Sequence, residues 1–116
     1  MAKVGSNIRI EAVRTRAFGT IGVAYITVGT PIVNPAQIFV IQNFTDIPVM
    51  ISFDGGVVDH LPLAAYSSFI IDNTTNRAQN ADGLYVSKGT QISVKQIGAV
   101  AATLGAVYVT SIYSRP

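Results

Sequence analysis

Apolar and polar positions alternate with a period near two along most of this chain, the spacing of half-buried strands. Ile8, Ile10 and Ala12 alternate with Arg9, Glu11 and Val13. A second run, Ile21 to Val28, is closed by Gly29-Thr30-Pro31. Gln37 to Phe44 is rich in β-branched and aromatic residues and is apolar on both faces, which predicts a central strand. Asn43 to Pro48 has turn chemistry, and Val49 to Phe53 is the next strand. Asp54-Gly55-Gly56 predicts a hairpin into Val57 to Leu61. Ser68 to Asp72 is a short strand, and Asn73 to Asp82 is a polar loop. Leu84 to Val86 and Gln91 to Lys95 flank Ser87-Lys88-Gly89-Thr90, a turn in which Gly89 can take a positive φ and Lys88 cannot do so cheaply. Val107 to Tyr113 is the last strand, with Tyr108, Thr110 and Ile112 on one face.

Eight or nine strands at near-regular spacing, separated by Gly, Pro, Asn and Asp turns, predict an all-β chain. The expected form is a single-domain antiparallel β-sandwich of jelly-roll or Greek-key type, with a barrel as the other closed solution. No stretch reads as a helix. Ala99 to Leu104 has room for one turn, bounded by Gly98 and Gly105. The 116 residues form one domain, with an extended arm expected over residues 1–7 and at the last three.

Charge changes this picture. Charged residues make up 12% of the chain, against about 25% in an average soluble domain. A fold of this size exposes roughly 6,000 Å². Eight cations and six carboxylates are few to cover it. Charge depletion is a mark of interface cores, which favours assembly over a Thr/Asn/Gln-coated monomer. The net charge of +2 argues against nucleic acid or an anionic membrane as partner. The longest apolar run, Ile97 to Val109, is interrupted by Gly98, Thr103 and Gly105 and is short of the ~20 residues of a spanning helix. Met1 to Ile10 contains no apolar leader core, so the expectation is a protein made in the cytoplasm.

Candidate chemistry is sparse. With no cysteine there is no disulfide and no thiolate metal site. His60 is the only histidine and Glu11 the only glutamate. Asp54, Asp59 and His60 have metal-ligating side chains. Asp54, however, has ordinary work opening a turn, and Asp59 and His60 point to opposite faces if they share a strand. The reading is a solvated hairpin with no metal. No Gly-x-Ser-x-Gly elbow and no phosphate loop occur, so no catalytic residue, cofactor or small-molecule substrate is expected. Asn43-Phe44-Thr45 fits a glycosylation pattern but reads as turn chemistry. Tyr25, Tyr66, Tyr85, Tyr108 and Tyr113 are scattered, which suits packing better than a sugar-binding face.

Lys3, Arg9, Arg14 and Arg16 crowd the first 16 residues against Glu11 alone. Arg14 and Arg16 share a strand face with Ala12 in this reading. Arg9, Arg14 and Arg16 are the candidate protein-contact residues, an edge that docks on an acidic neighbour. The competing account is an edge strand kept soluble by charge.

Thr30-Pro31-Ile32-Val33-Asn34-Pro35-Ala36, Ile41-Gln42-Asn43-Phe44-Thr45-Asp46, Met50-Ile51-Ser52-Phe53-Asp54-Gly55, Asp59-His60, Ile71-Asp72, the segment Gly83 to Thr90 and Val107-Tyr108-Val109 follow one another in an order that resembles small virion structural proteins of tailed bacteriophages. The resemblance spans roughly residues 20 to 113 and consists of strand and turn residues, not a catalytic signature. It implies a β-sandwich that assembles symmetrically on or in a particle, built in the host cytoplasm. The implied partners are other copies of itself and other virion proteins of the capsid, portal or tail. A capsid decoration or stabilising subunit is the leading expectation, with a head–tail connector or tail-ring subunit beside it. A carbohydrate-binding β-sandwich module is the rival from another class.

Overall fold

The computed structural model describes residues 7–72 and 86–115. Of the arms expected over residues 1–7 and at the last three, Asn7, Ser114 and Arg115 are instead paired in strands; residues 1–6, Pro116 and the loop Asn73 to Asp82, with Leu84 and Tyr85, lie outside the described residues. Among the described residues nine strands run in chain order: β1 (Asn7–Ile10), β2 (Arg14–Ala17), β3 (Ile26–Thr27), β4 (Ile38–Asn43), β5 (Val49–Ser52), β6 (Leu61–Leu63), β7 (Ser67–Asp72), β8 (Ser93–Gln96) and β9 (Ala106–Arg115). A 3-10 turn, Phe18–Thr20, follows β2.

The strands form two antiparallel sheets. One is five-stranded, with β9 between β4 and the β1/β2 edge and with β7 outside β4; the other has the order β3-β8-β5-β6. The pairs β2·β9, β3·β8, β4·β7 and β5·β6 are nested, so the chain from β2 to β9 is one long double hairpin. Folding that hairpin over on itself sets β4 beside β9 and β5 beside β8. This is the jelly-roll form of the β-sandwich. Among the described residues no strand belongs to both sheets, which settles sandwich against barrel.

Alternation does the packing. β4 buries Phe39, Ile41 and Asn43, and β9 buries Val107, Val109 and Ser111 on the same inner side. From the other sheet Val49, Ile51, Ile92 and Val94 close the core. Each such side chain contributes roughly 1.5–3 kcal/mol by leaving water. β4 is central, as its two-sided apolar pattern predicts.

Three elements differ from the sequence reading. Ile8 to Val13 is not one strand. Ile10 faces Ile112 while Arg14 faces Val109, so three residues oppose two and a β-bulge splits β1 from β2. Ile21 to Val28 contributes only Ile26–Thr27, because the Ile21 amide bonds to Phe18 within the 3-10 turn and Gly22 serves the Gln96 amide. The strand expected over Val57 to Leu61 begins only at Leu61, where β6 pairs antiparallel with β5. The Asp54 Oδ1 accepts from the Ser52 hydroxyl and from the Val57 and Val58 amides, and holds residues 53–60 as a loop. The turn before β8 behaves as expected, with Gly89 at φ +86°.

A buried polar knot joins two connections, β4–β5 and β6–β7. The Asn43 Nδ2 donates to the carbonyls of Ile47, Leu63 and Ala64, and its Oδ1 accepts from the Thr45 amide and hydroxyl. Asn43 is fully buried, so the glycosylation pattern there is closed to solvent in the folded chain.

Candidate interaction surfaces

The three candidate contact arginines have separate fates. Arg9 lies on β1 and is exposed. Arg16 is half-buried and donates from Nε to the Thr27 carbonyl at 2.7 Å. Arg14 is only 8% exposed. It pairs with Glu11 at 2.8 Å and donates to the Thr30 and Pro31 carbonyls at 2.6 and 3.0 Å. Glu11 also accepts from the Asn34 amide and side chain and from the Val33 amide. Burial works to raise the Glu11 pKa, and the bonds from Arg14, Asn34 and Val33 outweigh it, so the pKa is lowered. The two charges neutralise one another inside the chain. They clamp the β-bulge to residues 30–34, across a shallow groove of about 550 Å³ that also meets Val13, Gly29 and Thr30. Arg14 therefore works within the subunit, whereas Arg9 is exposed and Arg16 is partly so.

The metal-ligating set does not assemble. Asp54 is spent on its turn. Asp59 accepts from the Tyr25 hydroxyl at 2.5 Å and pairs with Lys95 at 3.5 Å. The His60 Nδ1 accepts from the Phe53 amide, and its ring meets the Phe53 ring edge-on. Among the described residues no three His, Asp or Glu side chains are grouped to hold a metal. Tyr25 is likewise occupied, with the Lys95 ammonium 4.7 Å over its ring. Burial and the neighbouring Asp59 and Asp54 raise its hydroxyl pKa. Lys95 thus covers one face of that ring.

Two surfaces escaped the sequence reading. The connections β2–β3, β4–β5, β6–β7 and β8–β9 all meet at one end of the sandwich, as the registers require. Ala17 is level with Ala106, Asn43 with Val107 and Ser67, and Val49 with Leu63 and Gln96. Among the described residues seven of the fourteen exposed large apolar side chains lie there; Val23 is 72%, Val100 69% and Tyr66 61% exposed. The twenty-four residues 18–24, 44–48, 64–66 and 97–105 hold one charge, Asp46, where an average domain would place about six. That carboxylate already accepts from the Thr103 amide and hydroxyl. These bonds, the hydroxyl first, lower its pKa against a smaller opposing effect of burial. Tyr66 stands at φ +58°, the one described non-glycine residue there, a conformation that costs a bulky side chain about 1 kcal/mol. The signal was available as three charge-free runs and one that holds only Asp46, but only the topology brings them together.

The second surface is the outer face of the five-stranded sheet. Its rows read Ile10-Ile112-Ile38-Asp72, Thr110-Val40-Ile70 and Thr15-Tyr108-Gln42-Ser68. Ile10 and Ile70 are 65% and 59% exposed, and the flanking side chains half-bury Ile38, Val40, Tyr108 and Ile112. Phe44 joins this face to the loop end through an edge-on contact with Tyr108, centroids 5.5 Å apart. The outer face of the other sheet is different, carrying Lys95, Met50 and Pro62 in one row and the loop 53–60 with its aspartates.

Fold and surfaces together define a jelly-roll sandwich with one apolar end and one apolar face. In comparisons with known proteins no family model matches the chain, and neither a curated protein nor a solved structure gives a significant match.

Proposed function

We propose that this chain is a non-enzymatic structural subunit of a virion, working by packing against other protein chains, with a capsid decoration or stabilising role as the leading form. The observation that carries the packing role is the loop end. An exposed, nearly charge-free surface built from four separate loops costs solubility unless a partner covers it. Its composition is that of an interface core, apolar and aromatic. The strained, exposed Tyr66 fits an anchor side chain of the kind that dominates binding energy. The non-enzymatic part is supported by what the titratable groups do: Glu11, Asp46, Asp54, Asp59 and His60 are each committed to bonds that hold loops in place. The virion setting rests on the sequence resemblance and is compatible with a jelly roll, a fold that virus shells share with lectins and enzymes.

Quantitative mass spectrometry of particles purified from the source tests this. Hundreds of copies per particle are expected for a decoration subunit, and six or twelve would assign it to a connector or tail ring. Absence from the particles would remove the virion reading. A double variant, Val100→Asp with Leu104→Asp, is expected to fold normally and to lose uptake onto particles lacking the subunit. Undiminished uptake would show that the loop end is not the contact.

A further inference from the structure

We propose that the outer face of the five-stranded sheet packs against the same face of a second copy, giving a two-fold dimer with the two sheets stacked. This deepens the packing role proposed above by naming one partner, and it concerns a surface distinct from the loop end.

The shape argument comes first. A twisted sheet is matched by another sheet of the same twist, lying about 10 Å away with strands crossing at about −30°. The inner face of this sheet already packs on the four-stranded sheet through the shared core. A second copy supplies the same twist and the same rows, and a two-fold axis lying between the two faces sets like against like.

Charge and area then point to the same occupant. Along the three rows only Asp72 is charged, and it sits on β7 at the rim, away from the central residue Val40. An acidic or basic partner would find almost nothing to pair with here, whereas an identical face brings no unpaired charge to its centre. With strands ~4.8 Å apart and ~3.4 Å per residue, the face covers roughly 500 Å². Two copies bury about 1,000 Å², the lower bound for a specific interface. An interface of that size lies at the weak end, so the association is expected as a concentration-dependent monomer–dimer equilibrium.

Sedimentation equilibrium of the full chain, from about 1 μM to about 1 mM, is the test. The wild type is expected to pass from monomer to dimer over that range. Val40→Lys places a charge at the centre of the face without opening the core, and is expected to stay monomeric with an unchanged melting temperature. Val57→Lys, in the loop 53–60 and 82% exposed, is expected to dimerise like the wild type. A folded wild type that is monomeric at about 1 mM would overturn the proposal, as would Val40→Lys dimerising with undiminished affinity. The particle assay separates the two readings: loss of the dimer with uptake retained removes only this inference, and a dimer that forms without uptake supports it while removing the virion role.

Discussion

Replacing Asn43 by aspartate exchanges one nitrogen for one oxygen in a fully buried side chain. The nitrogen faces three carbonyl oxygens, of Ile47 at 2.9 Å, Leu63 at 3.2 Å and Ala64 at 3.0 Å. Its two protons serve all three, one of them shared. A carboxylate there would point negative charge at three negative dipoles, so the new group keeps its proton. Full burial raises a carboxyl pKa by ~3 pH units or more, from ~3.9 to ~7. In the unfolded chain the same group ionises normally. Each unit of difference costs about 1.4 kcal/mol once the pH exceeds the unfolded value, or ~4 kcal/mol at pH 7. The protonated group also has one proton where the amide had two, which leaves a buried carbonyl unpaired at a further ~1–2 kcal/mol. The deficit should thus grow from ~2 kcal/mol near pH 4, where the unfolded carboxyl is still about half protonated, to ~5 kcal/mol near pH 7. Domains of this size hold only about 5–15 kcal/mol in total. Asn43→Ala is the control: it orphans the same carbonyls for ~3 kcal/mol but adds no proton linkage, so its deficit stays flat with pH. Urea unfolding followed by circular dichroism, with each variant referred to the wild type at each pH, measures both. The reasoning fails if Asn43→Asp matches the wild type near pH 7, or if its deficit is the same near pH 4 and pH 7.

Two further perturbations test the clamp and a turn. Glu11→Gln leaves Arg14 buried without its counter-charge and should cost about 3 kcal/mol near neutral pH. The folded-state pKa of Glu11 is lowered, so its stabilisation is present above the ordinary glutamate value of ~4.3 and is lost as pH falls through the folded value. The variant should therefore lose less stability than the wild type on acidification, and parallel acid-unfolding curves would sink the idea. Gly105→Ala should cost about 3 kcal/mol in urea unfolding: Gly105 stands at φ +88°, and an added Cβ would overlap the Phe44 carbonyl. A cost under about 1 kcal/mol would mean that the β4–β5 and β8–β9 connections part easily.

The strands that were legible are those whose own residues carry the decision. Ile38–Asn43 and Ala106–Arg115 combine β-branched composition with alternating burial, and each lies within or overlaps its predicted run. The misread stretches were decided by groups outside their own residues. Nothing within Ile8 to Val13 reveals that β9 is one residue short opposite it, so the bulge was invisible. Val57 and Val58 have strand composition, but their amides are taken by Asp54. The basic patch was legible as charge, whereas its burial depends on residues 30–34 folding back to give Glu11 the amides of Val33 and Asn34.

Low charge and asymmetric placement are two separate facts, and the second is the more informative. A protein short of charge that merely needed solubility would spread what it has. Here the described charges lie largely on the β1/β2 edge, around the outer side of the four-stranded sheet and in the loop 53–60. The loop end keeps one, already bonded to Thr103, and the rows of the five-stranded sheet's outer face keep one at the rim. Because charge left at the centre of a contact must be paired or removed, this distribution separates faces suited to burial from faces suited to water. The two apolar surfaces also adjoin through Phe44 and Tyr108. A subunit covered on both of them would present water with its charged edge, the outer side of its four-stranded sheet and the loop 53–60.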